Sequence, residues 1–362
     1  GYFNDCIRAF APKSPKLPVR ILLKISLYLL LFLYKPRYMI TDNAVELCKK
    51  LGKGGAAGFL NAFLRAFDAD KVPVPADKIA ALAQKYSYPA YAVRRLLKEY
   101  GDEAEKIFAF RENKACVRFA CTEEEESVLA QGGEKTPFGH VYRFSSFRRG
   151  EGYDEGKYTF QSIGSIAICD AVKPAERFLD ACAAPGGKSL TLAEAMQDKG
   201  QLVSGEFVPA RVPLLQQAFD RCGITCAVAV ENDATQHNSD WPTFDRVLCD
   251  VPCSGLGVIA KKPDIRYKDL DGIENLLAAQ QKILQNGADS LAENGRLVYS
   301  TCTVNDKENQ AQVEKFLSAN PDFHVVLPKT ALPGADITPL GTLFLPHRTG
   351  TDGFFAAILE RN

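Results

Sequence analysis

The sequence predicts an α/β protein: a Rossmann-like, mostly parallel sheet covered by helices, with an all-α module ahead of it. Two observations carry this. From about Gln161 the apolar stretches "RFLDACA", "QLVSGEF", "CAVAV", "RVLCDV" and "GRLVYSTC" alternate with helical stretches at Leu190–Met196, Pro209–Arg221 and Asn275–Leu291. Strand and helix in alternation imply parallel strands buried on both faces. From Val19 to Phe67, by contrast, apolar residues recur at three- and four-residue spacing, the period of helices with one buried face.

In chain order, the run Ile25–Tyr34 ("ISLYLLLFLY") is ten residues long and flanked by Lys24 and Lys35. That is short of the roughly 20 residues needed to cross a bilayer, so a buried core helix is expected. Gly52, Gly54 and Gly55 separate the helical patterns "AVELCKKLG" and "GFLNAFLRAF". "KVPVPADK", residues 71 to 78, reads as a linker whose Asp77 begins a helix. Helices are expected at Ile79–Lys85 and Ala90–Tyr100, short strands and turns between Lys114 and Gly150, and an exposed helix start at Glu123–Glu126. The domains are accordingly placed at 1–72, 73–150 and 151–362.

The net charge of zero hides an asymmetry: residues 1–100 hold 17 Lys and Arg against 7 Asp and Glu, and the rest hold 27 against 37. A basic module joined to an acidic one points to a polyanion, nucleic acid above all, with a solvated helical surface as the alternative. Eleven cysteines without a secretory signal or a compact disulfide framework suggest free thiols and a cytoplasmic location. The chain opens at Gly1 without an initiator methionine, as expected of a truncated or processed sequence.

The chemistry gathers at the ends of the expected strands. "DACAAPGGKSL" (180–190) puts small residues and two glycines between strand and helix, where a ligand can approach the backbone; it is neither a Walker A loop nor a G-x-G-x-x-G loop. The next strands end at Glu206, near Asp233 and at Asp250. A carboxylate such as Glu206 accepts hydrogen bonds from ribose hydroxyls, and four consecutive polar strand ends favour a nucleoside-type cofactor site. The fifth strand runs into "YSTCTVNDKENQ", bringing Cys302 to the same edge as Cys253 of "CDVPCSGLG". Burial accounts for most of the cysteines, Cys182 and Cys249 among them. Zinc is disfavoured, because the cysteine spacings and the four histidines form no ligand cluster.

"DACAAPGGK", "CDVPCSGLGVIAKKPDIRY" and "YSTCTVNDKEN", in this order, resemble the Sun-type RNA 5-methylcytosine methyltransferases that use S-adenosylmethionine, most closely the bacterial small-subunit ribosomal RNA branch of the B type. "AVELCKKLGKGGAAGFLNAFLRAF" resembles that branch's NusB-like RNA-binding domain, its first helices missing, and "HRTGTDGFFAAILER" resembles the closing strands. The sequence departs from the family at Val251 (alanine), Ala260 and Lys261 (two arginines) and Tyr267 (tryptophan).

The resemblance implies a seven-strand methyltransferase domain acting on ribosomal RNA before assembly is complete, with no metal and no membrane. It makes Cys302 the nucleophile at carbon 6 of cytosine, gives Cys253 a part in releasing the product, and puts Asp250 and Lys188 beside the base. It further implies cofactor contacts from Cys182, Ala183, Ala184, Pro185, Gly186, Gly187 and Lys188 to the methionine moiety, Glu206 to the ribose, Asp233 near the adenine and Asp250 near the methyl donor. Carbon 5 of cytosine is a poor nucleophile until a thiolate adds at carbon 6, which explains why cysteine is needed. The alternatives are a transfer RNA or large-subunit RNA substrate, a DNA cytosine methyltransferase, and a non-enzymatic NusB-type RNA-binding factor.

Overall fold

The structure, a computed structural model, describes residues 1–112, 114–120, 125–268, 273–328 and 332–361. The chain divides into two compact units, Gly1–Lys98 and Glu99–Asn362.

The first unit is helical: α1 (Tyr2–Phe10), α2 (Leu17–Leu31), α3 (Arg37–Lys50), α4 (Ala57–Ala66), α5 (Lys78–Tyr86) and α6, whose range Ala90–Tyr100 runs past the unit's end. One stripe of α2, including Leu23 and Leu27, meets Leu60 and Leu64 of α4 in the core. The run expected to be a core helix is thus buried on one face only. Ile25 and Tyr28 are exposed, and the helix stops at Leu31. The proline-rich stretch after it does not leave the unit: Val72 joins the core, and Gln84 of α5 hydrogen-bonds to Asp5 and to the Pro73 carbonyl. Asp77 caps α5 as its position suggests, accepting the Ala80 N–H at 2.7 Å.

The second unit begins with α7 (Ala104–Ala109), followed by β1 (Ala115–Phe119), α8 (Glu125–Ala130), β2 (Glu134–Lys135), β3 (Val141–Phe144), α9 (Glu151–Asp154) and β4 (Tyr158–Phe160). Its small antiparallel sheet has the order β2-β3-β1-β4. Glu125 and Glu126 open α8, and both are exposed; Glu123 and Glu124 lie outside the described residues.

The large sheet follows: α10 (Ile163–Val172), β5 (Arg177–Asp180), α11 (Gly187–Ala195), β6 (Gln201–Glu206), α12 (Val212–Arg221), β7 (Ala227–Glu231), β8 (Phe244–Asp250), α13 (Ile273–Asp289) and β9 (Leu291–Thr301). The chain closes with α14 (Gln310–Ala319), β10 (Phe323–Val326), β11 (Asp336–Thr338), β12 (Gly341–Phe344), α15 (Pro346–Thr349) and β13 (Phe354–Arg361). Strands β7-β6-β5-β8-β9 are parallel in that order, and β13 pairs antiparallel with β9. The sheet has nine strands among the described residues, the seven expected plus the edge hairpin β11–β12.

Its centre is dry. Phe178, Val247, Leu248 and Val298 are fully buried, each contributing about 1.5–3 kcal/mol by burial. The register Leu248↔Val298, Cys249↔Tyr299, Asp250↔Ser300 then fixes which residues emerge together at the carboxyl edge. Because side chains alternate along a strand, Cys249 stays in the core while Asp250 emerges beside Ser300.

Candidate active site

The loop from β5 to α11 is built from backbone. Ala181 N–H donates to the Leu248 carbonyl at 2.9 Å and Ala183 N–H to the Gly205 carbonyl at 2.8 Å, so the loop is held on its two neighbouring strands. Gly186 has φ +100°, a left-handed conformation that glycine adopts without strain, and it opens α11. Gly205 sits in a tight place: a Cβ there would lie 3.1 Å from Asn232 and 3.2 Å from the Ala181 carbonyl oxygen. Asp180, beneath the loop, accepts from Ser189 Oγ at 2.6 Å, while its Oδ1 is buried without a partner. Burial raises its pKa to about 6 despite the Ser189 hydroxyl.

Two further carboxylates stand at this edge. Glu206 is buried and uses Oε1 to accept the Val208 N–H at 2.7 Å. Asp233 uses Oδ1 for the Thr235 N–H and hydroxyl at 3.0 and 2.7 Å. In each, one carboxylate oxygen is engaged locally. The other suits a hydroxyl or amine of a nucleoside, so the donor set fits S-adenosylmethionine. Cys182 is half-buried, and burial pushes its thiol well above the usual range, as befits a loop-lining residue rather than a nucleophile.

On the other side of β5 the sequence-predicted chemistry converges. Cys253 Sγ lies 3.1 Å from Cys302 Sγ, and the Cys302 N–H points to Cys253 Sγ at 3.3 Å. Lys188 Nζ meets Asp250 Oδ2 at 2.6 Å, and Ser300 Oγ donates to Asp250 Oδ1 at 2.7 Å. Burial opposes the charge on Lys188, but Asp250 outweighs it and holds the ammonium above its ordinary range. The hydrogen bond from Cys253 draws the Cys302 thiol below its usual range, with Lys188 and Lys262 assisting against burial and Asp250. The same bond, then burial, then the negative charges of Cys302, Glu308 and Asp250 push Cys253 well above it. Of the two, Cys302 is therefore the thiol that ionises more readily and Cys253 the one that keeps its proton longer.

Several residues of this site escape a reading of sequence. Ser254 Oγ and Thr303 Oγ1, each next to a cysteine, lie 2.8 Å apart. Glu308, fully buried, accepts the Ser254 N–H at 2.7 Å and the Asn305 side-chain amide at 2.7 Å. Gln280 of α13 donates to the Pro252 carbonyl at 2.9 Å and to Glu308 at 3.2 Å. A signal for Gln280 existed. It sits on the buried stripe of α13 with Ile283, Leu284, Gly287 and Ala288, and a polar residue on such a stripe needs partners. Among the described residues no group of three or more His, Cys, Asp or Glu is arranged to hold a metal ion, and no helix is long and apolar enough to cross a membrane.

Comparison with known proteins agrees with this layout. The family model "16S rRNA methyltransferase RsmB/F" matches residues 167–360, and the NusB family model matches residues 5–69. The chain is 34% identical to a probable ribosomal RNA small subunit methyltransferase B of Bacillus subtilis, covering 97% of this chain and 84% of that one. It is 28% identical to the ribosomal RNA small subunit methyltransferase B of Vibrio cholerae, over 94% of this chain and 80% of that one. Among solved structures, PH0851 aligns with TM-score 0.84 at 25% identity over 99% of this chain and 86% of that one. NSun6 from Pyrococcus horikoshii with SFG shares the fold, with TM-score 0.69 at 18% identity over 76% of this chain and 99% of that one. Sheet and sequence relatives agree: the chain belongs to the RsmB/F family of 16S rRNA methyltransferases, S-adenosylmethionine-dependent enzymes that act on RNA.

Proposed function

We propose that this chain forms 5-methylcytosine in small-subunit (16S) ribosomal RNA through a covalent bond between Cys302 and the target cytosine. The observation that carries the reading is the thiol pair at 3.1 Å, set beside the Lys188–Asp250 ion pair at 2.6 Å. The Cys302 thiolate adds to carbon 6, and the electron pair displaced from the C5–C6 bond makes carbon 5 nucleophilic. Negative charge spreads to ring nitrogen 3, where the Lys188–Asp250 pair stabilises it. When bound, S-adenosylmethionine supplies the electrophilic methyl group. Cys253 then helps release: the carbon 5 proton passes to water, the C–H electron pair re-forms the C5–C6 double bond, and the C6–S bond breaks with its electron pair returning to Cys302 as thiolate.

In this reading residues 151–362 do the chemistry, Cys182–Lys188, Glu206, Asp233 and Asp250 hold the cofactor, residues 1–72 hold RNA, and residues 73–150 connect the two. The target base has to be unstacked before a thiolate reaches carbon 6, which favours a loop or a ribosomal RNA segment not yet locked into the particle. The cytoplasm supplies both the nascent RNA and the reducing conditions the thiols need. The test uses small-subunit RNA tritiated at carbon 5 of cytosine. Tritium release should match methyl incorporation mole for mole, and methyl incorporation with tritium retained contradicts the reading.

A further inference from the structure

Glu308 is a buried carboxylate without a cation: among the described residues no lysine, arginine or histidine pairs with it, and it is 0% exposed. It sits in a short helical turn, Asp306–Glu308, beyond Cys302. Every contact of its side chain is an N–H donor. Oε2 takes the Ser254 N–H at 2.7 Å and Gln280 Nε2 at 3.2 Å, and Oε1 takes Asn305 Nδ2 at 2.7 Å. Its own carbonyl accepts the Tyr299 hydroxyl at 2.6 Å.

Ser254 directly follows Cys253, and Asn305 belongs to the loop that follows Cys302, so one carboxylate ties the two cysteine loops together. An uncompensated buried charge is costly to keep, and donors alone recover only part of its lost hydration. A glutamine of the same shape could not make this tie, because its amide would meet an N–H donor at one end. The thiol pair is faced by Asp250 from the end of β8, Lys188 from α11, Lys262 from the loop after Cys253, and Tyr299 from β9. Lys188 and Lys262 favour a thiolate at Cys302, whereas Glu308 opposes one at Cys253.

We propose that Glu308 is a positioning residue whose carboxylate clamps the two cysteine loops and thereby holds Cys253 against Cys302, so that Cys302 is the more reactive thiol. This rests on the covalent reading above, but its test needs neither RNA nor cofactor, so the two fail separately. The full chain is alkylated with iodoacetamide across pH 6–9, a range of about three units around thiol ionisation, and the rate at each cysteine is read by peptide mass spectrometry.

Cys302 should react at least about tenfold faster than Cys253, the ratio that one pKa unit of difference in thiolate supply allows. Glu308→Gln should bring the two rates together. Glu308→Asp, which keeps the charge, should preserve the preference for Cys302 and carries the test if the glutamine variant does not fold. Thr303→Val removes the hydroxyl tie between the same loops and should leave the ratio intact. An unchanged ratio in folded Glu308→Gln, equal rates in Glu308→Asp, or a collapse in Thr303→Val matching that of Glu308→Gln each overturns the proposal.

Discussion

The two halves of the sheet edge are built differently. Over β5, β6 and β7 the edge is mostly backbone: glycines at a left-handed turn and a tight approach, main-chain hydrogen bonds between strand and loop, and single carboxylates with a free oxygen. Over β8 and β9 it is a dense side-chain network in which Asp250, Lys188, Cys253, Cys302, Ser254, Thr303 and Glu308 engage one another. In the proposed reading the first half receives the cofactor and the second ionises a thiol. Side-chain loss should therefore be graded in the first half and abrupt in the second.

The largest effect should come from the abrupt half. Cys302→Ala should lower methyl transfer by roughly 10⁴-fold or more while cofactor affinity, read by calorimetry, stays within about threefold, because the thiolate has no substitute and makes no required cofactor contact. Near-normal turnover would erase the contrast. Next, Lys188→Met removes a cation that helps draw the Cys302 thiol below its usual range. A group whose pKa is drawn down gives thiolate at lower pH, so losing the cation should move the alkaline-going rise of Cys302 alkylation upward by about one unit. A rise that stays in place would show that Cys253 alone sets the ionisation.

Glu206→Ala tests the graded half. It should weaken cofactor binding by about ten- to hundredfold, the worth of one or two charge-assisted hydrogen bonds, with the maximal rate much less affected. A fall confined to the maximal rate would place Glu206 with the chemistry instead. The smallest effect belongs to the helical unit. Replacing the exposed Lys13, Lys16 and Lys53 with alanine should lower the slope of log affinity for RNA against log salt by about 0.7 for each phosphate no longer neutralised. An unchanged slope would make the basic excess of residues 1–100 a solvated surface.

Much of the graded half was legible because each of its residues announces itself locally: a small-residue loop after a strand, a carboxylate at a strand end. The strands and helices of the α/β part were legible for the same reason, since their periods are local. The abrupt half was legible only at its two cysteines and at Lys188 and Asp250. Ser254, Thr303 and Glu308 are ordinary polar residues in loops until β8 and β9 pair in register and bring residues about fifty positions apart into contact. The helical unit misled in a different way. Ile25–Tyr34 is apolar all round, yet only one face is packed within its unit, and the proline-rich stretch after Lys71 packs where a linker was expected. Composition records hydrophobicity; it does not record which face meets a partner.

The division of labour between the two thiols is tested most directly by trapping. The Cys253→Ala variant, incubated with labelled small-subunit RNA and S-adenosylmethionine and run on a denaturing gel, should add to the base, transfer the methyl group and stall as a slow-migrating protein–RNA adduct, because the step that expels Cys302 is impaired. The double variant that also carries Cys302→Ala should give no such band. Absence of the adduct from Cys253→Ala, with an RNA that the unmodified enzyme methylates, or its persistence in the double variant, would contradict the assignment of attack to Cys302 and release to Cys253.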